Sequence, residues 1–410
     1  MQKNKTDKMS IGGYRPLYSL EEIRELADGF SVNSILKHNA YQNKPLDFET
    51  AYLLGVFTLY PYQKKLEGLF NMECGLAEKQ SIAALCALHN RETYKRVGSA
   101  EQIAGICAAI FDYDIKMSDY GFLEADVDYA MDNCGMGGDL YRTPNVSTIA
   151  ALIAAADGIP MCKHGSPGNT DSTGSSDFLE FCGVDLFADK GFVKEGLERF
   201  NFGYTDALDT RYKSIHVQTH KSGHLAHMND IIGPITNPLN PISMKKRVLG
   251  VNHLIDPRVV AEAYQILNNR GVTHLEHGLF VRGFIDKGRN GGIDEVSIFD
   301  GGTSVAELTN GSIEVSDLYA EKFGIQTQEY SEPPKGKEGK ARFSREILEG
   351  KVEGVPKDLI LANTAILYYL ANGVDFEEGF KRAKNSLERM DPISNLEKYI
   401  KLVRRFQQWI

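Results

Sequence analysis

The chain has 410 residues, with 46 Lys+Arg against 55 Asp+Glu, a formal charge of −9, and 42 % hydrophobic and 25 % charged residues. This is the composition of an ordered globular protein too long for one small core. Its acidic balance argues against general affinity for nucleic acid or an anionic membrane, both of which need clustered positive charge.

Glycines number 39 against 14 prolines, a pairing that favours ordered glycine turns over disorder. Six dispersed cysteines (Cys74, Cys86, Cys107, Cys134, Cys162, Cys182) form no C-x-x-C pair and read as reduced thiols of a cytosolic protein. The polar N-terminus has no apolar core of a leader, and the longest apolar run, Ile149–Ala156, falls short of the ~20 residues of a membrane helix. The expectation is a soluble, cytoplasmic protein.

Helices dominate the first third. Ser19-Leu-Glu-Glu22 has the form of a capping box opening a helix to Ala27, and Ser99 with Gln102 predicts a second, running to about Phe111. Phe48–Tyr60 and Ala77–Asn90 carry apolar residues at helical spacing between them. After Gly121 the texture changes. Val127–Asn133 reads as a strand, Ser147–Asp157 as a helix closed by Gly158, and Ile159–Lys163 as the next strand, the βαβ signature of a parallel sheet. Thr273–Phe280 and Glu295–Phe299 are further strand candidates. Asn310-Gly311 is a hairpin turn. Pro333–Lys340 reads as a charged, mobile surface loop, and Ala341–Leu348, Leu359–Ala371 and Phe376–Asp391 as closing helices. The fold class is α/β: a helical domain over residues 1–120, to which helices from about 190–230 are added, and a larger α/β domain over 121–410 with a mostly parallel sheet.

Three segments bear chemistry. In Cys134-Gly-Met-Gly-Gly-Asp139, five residues, then Asn145-Val-Ser-Thr148, glycines between strand and helix let backbone amides close on phosphate oxygens. Ser147 and Thr148 can cap that helix and offer hydroxyls to an anion or a metal. An ordinary strand-to-helix turn has the same glycine content. Lys163-His-Gly-Ser166, followed by Ser/Thr/Gly-rich sequence, sits where a parallel sheet opens its ligand crevice. Asp294-Glu295 follows two glycines; adjacent carboxylates serve one site only in a loop or at a strand end, where they suit Mg²⁺.

Together these residues resemble the anthranilate phosphoribosyltransferase family, whose pattern G-T-G-G-D, five residues, N-x-S-T, then K-H-G-N, S-G-S-A-D and D-G-x-D-E is met here in order. Gly233-Pro-Ile-Thr-Asn-Pro238 is similar to its G-P-L-T-N-P, and the likeness covers about residues 20–405. The resemblance implies a cleft between the two domains, commonly a homodimer, and phosphoribosyl pyrophosphate with Mg²⁺ as donor. It places Gly135, Gly137, Gly138, Asp139, Thr143, Asn145, Ser147, Thr148, Lys163 and Ser175 at the donor. Asp294 and Glu295, with Ser147, would hold Mg²⁺; Lys163, Asp294 and Glu295 would be the catalytic groups. The acceptor would meet His164, Gly165, Ser166 and His220.

The departures concentrate on the acceptor side. Ser166 replaces the family's asparagine and Pro167 the arginine after it; in the donor motif, Met136 replaces the threonine of the glycine turn. Tyr204–Tyr212 stands where the family has H-P-A-M-K, and His220 where an arginine would meet the anthranilate carboxylate. Histidine offers a titratable charge instead of a permanent fork, so the expected acceptor widens from anthranilate to aromatic amines and nitrogen heterocycles. His216, His220, His224 and His227 would share one face of a continuous helix, as a polar wall of the acceptor site in preference to a metal site. Leu279–Asn290 reads as an insertion over the cleft, offering Arg282 or Arg289 to an acidic acceptor. The alternatives are a pyrimidine-nucleoside phosphorylase-like enzyme, whose glycine turn differs, and a nucleic-acid-binding relative, which the charge disfavours.

Overall fold

The computed structural model describes residues 14–168, 173–223 and 225–407. Ser19 caps α1 (Leu20–Leu26) as the sequence predicts, with the Glu22 carboxylate returning to the Ser19 amide at 2.7 Å. Helices α2 (Val32–His38), α3 (Phe48–Leu59), α4 (Cys74–Leu88), α5 (Arg91–Tyr94) and α6 (Ser99–Ala109) follow, and a π-helical turn, Ile110–Ile115, extends the last. The expected capping box at Ser99 is not formed. Gly98 takes the cap position, while buried Ser99 donates to the Thr93 carbonyl at 3.0 Å and Gln102 accepts from the Leu46 amide at 3.0 Å. Tertiary partners win once both side chains are buried.

The remaining elements are β1 (Ala130–Gly135), α7 (Val146–Ala156), β2 (Met161–Gly165), α8 (Ser175–Cys182), α9 (Lys190–Phe200), β3 (Phe202–Asp206), α10 (His216–Lys221), α11 (Asn229–Ile235), β4 (Met244–Gly250), α12 (Pro257–Asn269), β5 (His277–Phe284), β6 (Gly292–Ile293), β7 (Thr303–Thr309), β8 (Ser312–Leu318), α13 (Lys337–Leu348), α14 (Val355–Asn372), α15 (Phe376–Glu388) and α16 (Asp391–Gln407). The sheet order is β3-β2-β1-β4-β5-β7-β8, with β6 also paired to β5. The first five strands run parallel; β5, β7 and β8 are antiparallel neighbours. Asn310 and Gly311 turn the β7–β8 hairpin with φ of 49° and 84°, as the turn chemistry predicts.

Alternate residues of the strands feed two cores. Leu249, Phe280 and Ala306 join the helices α1–α6, α11 and α12, whereas Val248, Leu279, Val281 and Val305 join α7, α9 and α14–α16. Among the described residues no single helix is long and apolar enough to cross a membrane.

Four further expectations need correction. Glu295–Phe299 is not a strand: side chains satisfy its backbone, Asn363 accepting from the Val296 amide at 2.9 Å and Thr303 from Ser297 at 2.8 Å. Leu279–Phe284 belongs to the central strand β5 and is no lid. Arg289 pairs with Asp317 at 3.1 Å on the hairpin, and Arg282 lies over the Phe284 ring. The loop expected to Lys340 ends earlier, because α13 begins at Lys337 and Lys340 is buried. The continuous histidine helix is absent, since α10 ends at Lys221. The side chain of His220, and His224 altogether, lie outside the described residues.

Candidate active site

Strands β1, β2 and β4 end at Gly135, Gly165 and Gly250, and their carboxyl ends open into a cavity of about 630 Å³. A ligand crevice is expected there in a parallel sheet. Its lining includes Gly135, Gly137, Gly138, Asp139, Thr143, Asn145, Ser147, Thr148, Lys163, His164, Gly165, Ser166, Ser175, Asp294 and Glu295. Segments from His89 to Lys340 thus converge on one cleft, with a sheet wall from these strand ends and a helical wall from His89, α10 and α11.

Close approach, more than phosphate access, demands two of the glycines. Gly135 and Gly250 are register partners on β1 and β4, and a Cβ on either would overlap Asp294: its carboxylate in the first case, its carbonyl oxygen in the second. Gly137 and Gly138 turn away with φ of 71° and 78°, a conformation side chains resist. The Gly137 amide donates to Asp294 Oδ2 at 2.7 Å, so the turn and the carboxylate position each other.

Asp139, Asp294 and Glu295 bring carboxylate oxygens within 4.8 Å of one another. Burial, then the charge of Asp294, raises the carboxyls of Asp139 and Glu295 well above the usual range. Three carboxylates this close, two of them buried, ionise together readily only beside a cation. Oxygen donors so grouped fit Mg²⁺. Thr143 Oγ1 donates to Glu295 Oε2 at 3.2 Å, and the buried Lys340 lines the same cleft.

The other polar groups of the sheet wall are tied down. Asn145, the N-cap of α7, makes no side-chain cap bond. Its amide donates to the Thr173 and Gly174 carbonyls at 3.0 Å each, and its oxygen accepts from Ser344 at 2.9 Å. Asn145 is therefore a strut between α7, the loop before α8, and α13. Ser147 and Thr148 lie inside α7 and do not cap it; Thr148 donates to Ser175 Oγ at 2.9 Å. Lys163 Nζ donates to the Asn133 and His164 carbonyls at 2.7 and 3.2 Å, and burial lowers its pKa.

Sequence reading missed Lys213. Its Nζ lies 2.7 Å from His164 Nε2 and donates to the Gly233 carbonyl at 2.9 Å, with burial holding its pKa down at about 7. His164 Nδ1 meets Thr205 Oγ1 at 2.8 Å, so this buried ring is fixed from both sides. Arg247, paired with Asp132 at 2.8 Å, donates to the carbonyls of Pro234 and Ile235. The C-terminal carbonyls of α11 thus meet two cations, which suits the helix dipole. No local motif marks Lys213, because its partners are 49 and 20 residues away. Also missed were His89, Asp230 and His253, which line the helical side of the cleft.

The family described as "Glycosyl transferase family, a/b domain" matches residues 128–389. The chain is 34 % identical to the anthranilate phosphoribosyltransferase of Haloarcula marismortui over 270 residues, 65 % of this chain and 76 % of that one. It is 29 % identical to that of Acetivibrio thermocellus over 350 residues, 81 % of this chain and 94 % of the relative. Among solved structures, the anthranilate phosphoribosyltransferase of Thermus thermophilus superposes with a TM-score of 0.69 at 25 % identity, covering 91 % of this chain and 99 % of that one. That of Saccharomyces cerevisiae in complex with PRPP and Mg shares the fold, with a TM-score of 0.66 at 24 % identity, covering 94 % and 98 %.

Proposed function

Because this chain belongs to the anthranilate phosphoribosyltransferase family and is a glycosyltransferase, we propose that it moves a phosphoribosyl group from phosphoribosyl pyrophosphate to the nitrogen of an aromatic amine or heterocycle. The observation that carries this reading is the carboxylate triad of half-buried Asp139 and buried Asp294 and Glu295, held against the glycine turn at the open end of the parallel strands. Its charge calls for a divalent cation, and Mg²⁺ would be held by these three carboxylates, with Ser147 as a further candidate ligand. When bound, Mg²⁺ would neutralise charge on the pyrophosphate as it leaves.

The chain's own groups do the rest. The Gly138 turn and the N-terminal turn of α7 present backbone dipole to the donor phosphates. Lys163 adds fixed positive charge beneath the strand ends, and its two carbonyl contacts hold the ammonium still, as electrostatic catalysis requires. The C1–oxygen bond to pyrophosphate breaks, the acceptor nitrogen bonds to C1 from the opposite face, and that nitrogen sheds a proton. No protein nucleophile is needed; positioning of the two substrates supplies much of the rate.

The test is pyrophosphate release from phosphoribosyl pyrophosphate with Mg²⁺ and a panel of aromatic amines and heterocycles. Release that depends on both the acceptor and Mg²⁺ supports the reading, and its absence across the panel counts against it. A helical domain over 1–120, an α/β domain over 121–410 and a homodimer belong to the same proposal, to be read by limited proteolysis and solution mass.

A further inference from the structure

The helical wall of the cleft carries titratable groups that the donor chemistry does not use. His89 follows α4, and its ring lines the cleft with its side chain only 3 % exposed. Its Nδ1 lies 2.8 Å from the buried Tyr94 hydroxyl, and its Nε2 lies 3.8 Å from Asp230 Oδ2. Asp230, in the first turn of α11, accepts from the His227 amide at 3.2 Å and keeps part of its carboxylate exposed to the cavity. Around the pair stand Cys86, Tyr94, His227 and His253. The buried Nε2 of His227 and Nδ1 of His253 have no hydrogen-bond partner.

The tautomer of His89 follows from these contacts. Burial, then His227 and His253, holds its pKa down at about 4, so the ring is neutral at pH 7. A proton on Nδ1 would leave a bare Nε2 lone pair facing a carboxylate. With the Tyr94 O–H donating to Nδ1, the proton sits on Nε2 and faces Asp230, at a distance too long for a direct hydrogen bond. The result is an N–H donor and a carboxylate acceptor side by side on the wall, with neither used up by the other.

The charge on this wall has one sign. Among the described residues that line the cleft, the lysines and arginines are Arg142, Lys163 and Lys340. Lys340 is grouped electrostatically with Arg142 and the acid triad, and Lys163 holds the sheet carbonyls. Arg211, the arginine of the divergent 204–212 stretch, is fastened to Asp209 at 2.9 Å and to the Phe187 carbonyl. No described cation therefore stands beside Asp230 to receive an acceptor carboxylate.

We propose that Asp230 and His89 form the acceptor-recognition edge of this enzyme, selecting an aromatic amine or heterocycle that presents an N–H donor next to a carbonyl or ring-nitrogen acceptor. A carboxamide, a lactam or an amino-heterocycle fits this edge. A carboxylate at the same position meets Asp230 as a like charge and leaves its donor demand unmet. The inference rests on the phosphoribosyl-transfer reading and names the acceptor class for that site.

An isosteric pair tests it. 2-Aminobenzamide and 2-aminobenzoate share the ring and the nucleophilic amine and differ only in carboxamide against carboxylate. The expected result is a kcat/KM at least tenfold higher for the amide, with Asp230→Asn and His89→Gln each lowering that preference at least fivefold while thermal unfolding stays near that of the parent. Binding of both compounds to enzyme carrying Mg²⁺ and pyrophosphate, followed by saturation-transfer NMR, gives the same ratio without turnover. A parent that prefers the benzoate, a ratio unmoved in both variants, or failure of both compounds to bind overturns the inference. Those outcomes leave the donor reading intact; that reading fails instead if phosphoribosyl pyrophosphate itself does not bind.

Discussion

The two walls of the cleft are built on opposite terms. On the sheet wall several polar groups hold one another: Gly137 by Asp294, Glu295 by Thr143, Asn145 by Ser344 and two carbonyls, Lys163 by two more. On the helical wall His89 and Asp230 stand 3.8 Å apart, and two histidine nitrogens nearby have no partner. A preorganised wall suits a donor whose charge must be met at fixed points in the transition state. A wall with unspent donors and acceptors suits recognition, because a buried polar group left unpaired by the wrong ligand is costly. The contrast supports the proposal that the sheet carries the chemistry and the helices the selectivity.

The largest expected effect breaks the sheet wall at its tightest point. Gly250→Ala puts a methyl into the Asp294 backbone, so Asp294 must move. Mg²⁺-dependent turnover should fall roughly a hundredfold or more, and urea unfolding should show a loss of about 1–3 kcal/mol from overpacking. A variant with parental stability and activity would mean that the wall is not rigid. Next, Asn145→Ala removes the strut, taking the acceptor from the Ser344 O–H and the donor from the Thr173 and Gly174 carbonyls; a loss of about 1–3 kcal/mol in denaturant unfolding is expected, with a raised KM for phosphoribosyl pyrophosphate.

Smaller effects sharpen the comparison. Lys340→Met deletes a buried ammonium beside the acid triad, so divalent-ion affinity measured by Mn²⁺ titration without substrate should rise several-fold; weaker binding would make Lys340 a support of the site. The least effect is a pH slope. Burial holds His89 at about 4 in the folded protein against the ordinary 6.5 of a free imidazole, so the unfolded chain binds the extra proton between those values. Stability from this group is complete above pH 6.5 and is lost as pH falls towards 4. Asp230, pushed up mainly by burial to about 6 from 3.8, works in the opposite direction over pH 3.8–6. His89→Gln should therefore reduce the rise in unfolding free energy between pH 4.5 and 6.5; an unchanged slope would show that His89 titrates alike in both states.

What the sequence revealed follows the same division. Ser19 with Glu22 and Asn310-Gly311 act within a few residues, and their cap and turn appear as expected. The glycine turn, Lys163 and Asp294-Glu295 announce the sheet wall because each motif carries its spacing with it. Glu295–Phe299 read as a strand because its apolar pattern cannot reveal that Asn363 and Thr303 supply its hydrogen bonds. The buried Lys340 was taken for a solvated loop residue, since composition around Pro333–Gly339 hides the helix start at Lys337. Of the helical wall, the histidine spacing announced only His216, which lines the cleft from α10. His89 and Asp230 are 141 positions apart, and neither sits in a recognisable motif, so only the tertiary approach of the end of α4 to the start of α11, where the Met228 amide donates to the Leu85 carbonyl at 3.2 Å, brings them together.

The acid triad is expected to bind phosphoribosyl pyrophosphate through a divalent ion. Calorimetric titration of that donor into the purified protein, with Mg²⁺ and with chelator, tests it most directly. Saturable binding with Mg²⁺, lost with chelator and weakened at least tenfold in Asp294→Asn, is the predicted result. Equal affinity under both conditions, or no binding under either, would contradict it.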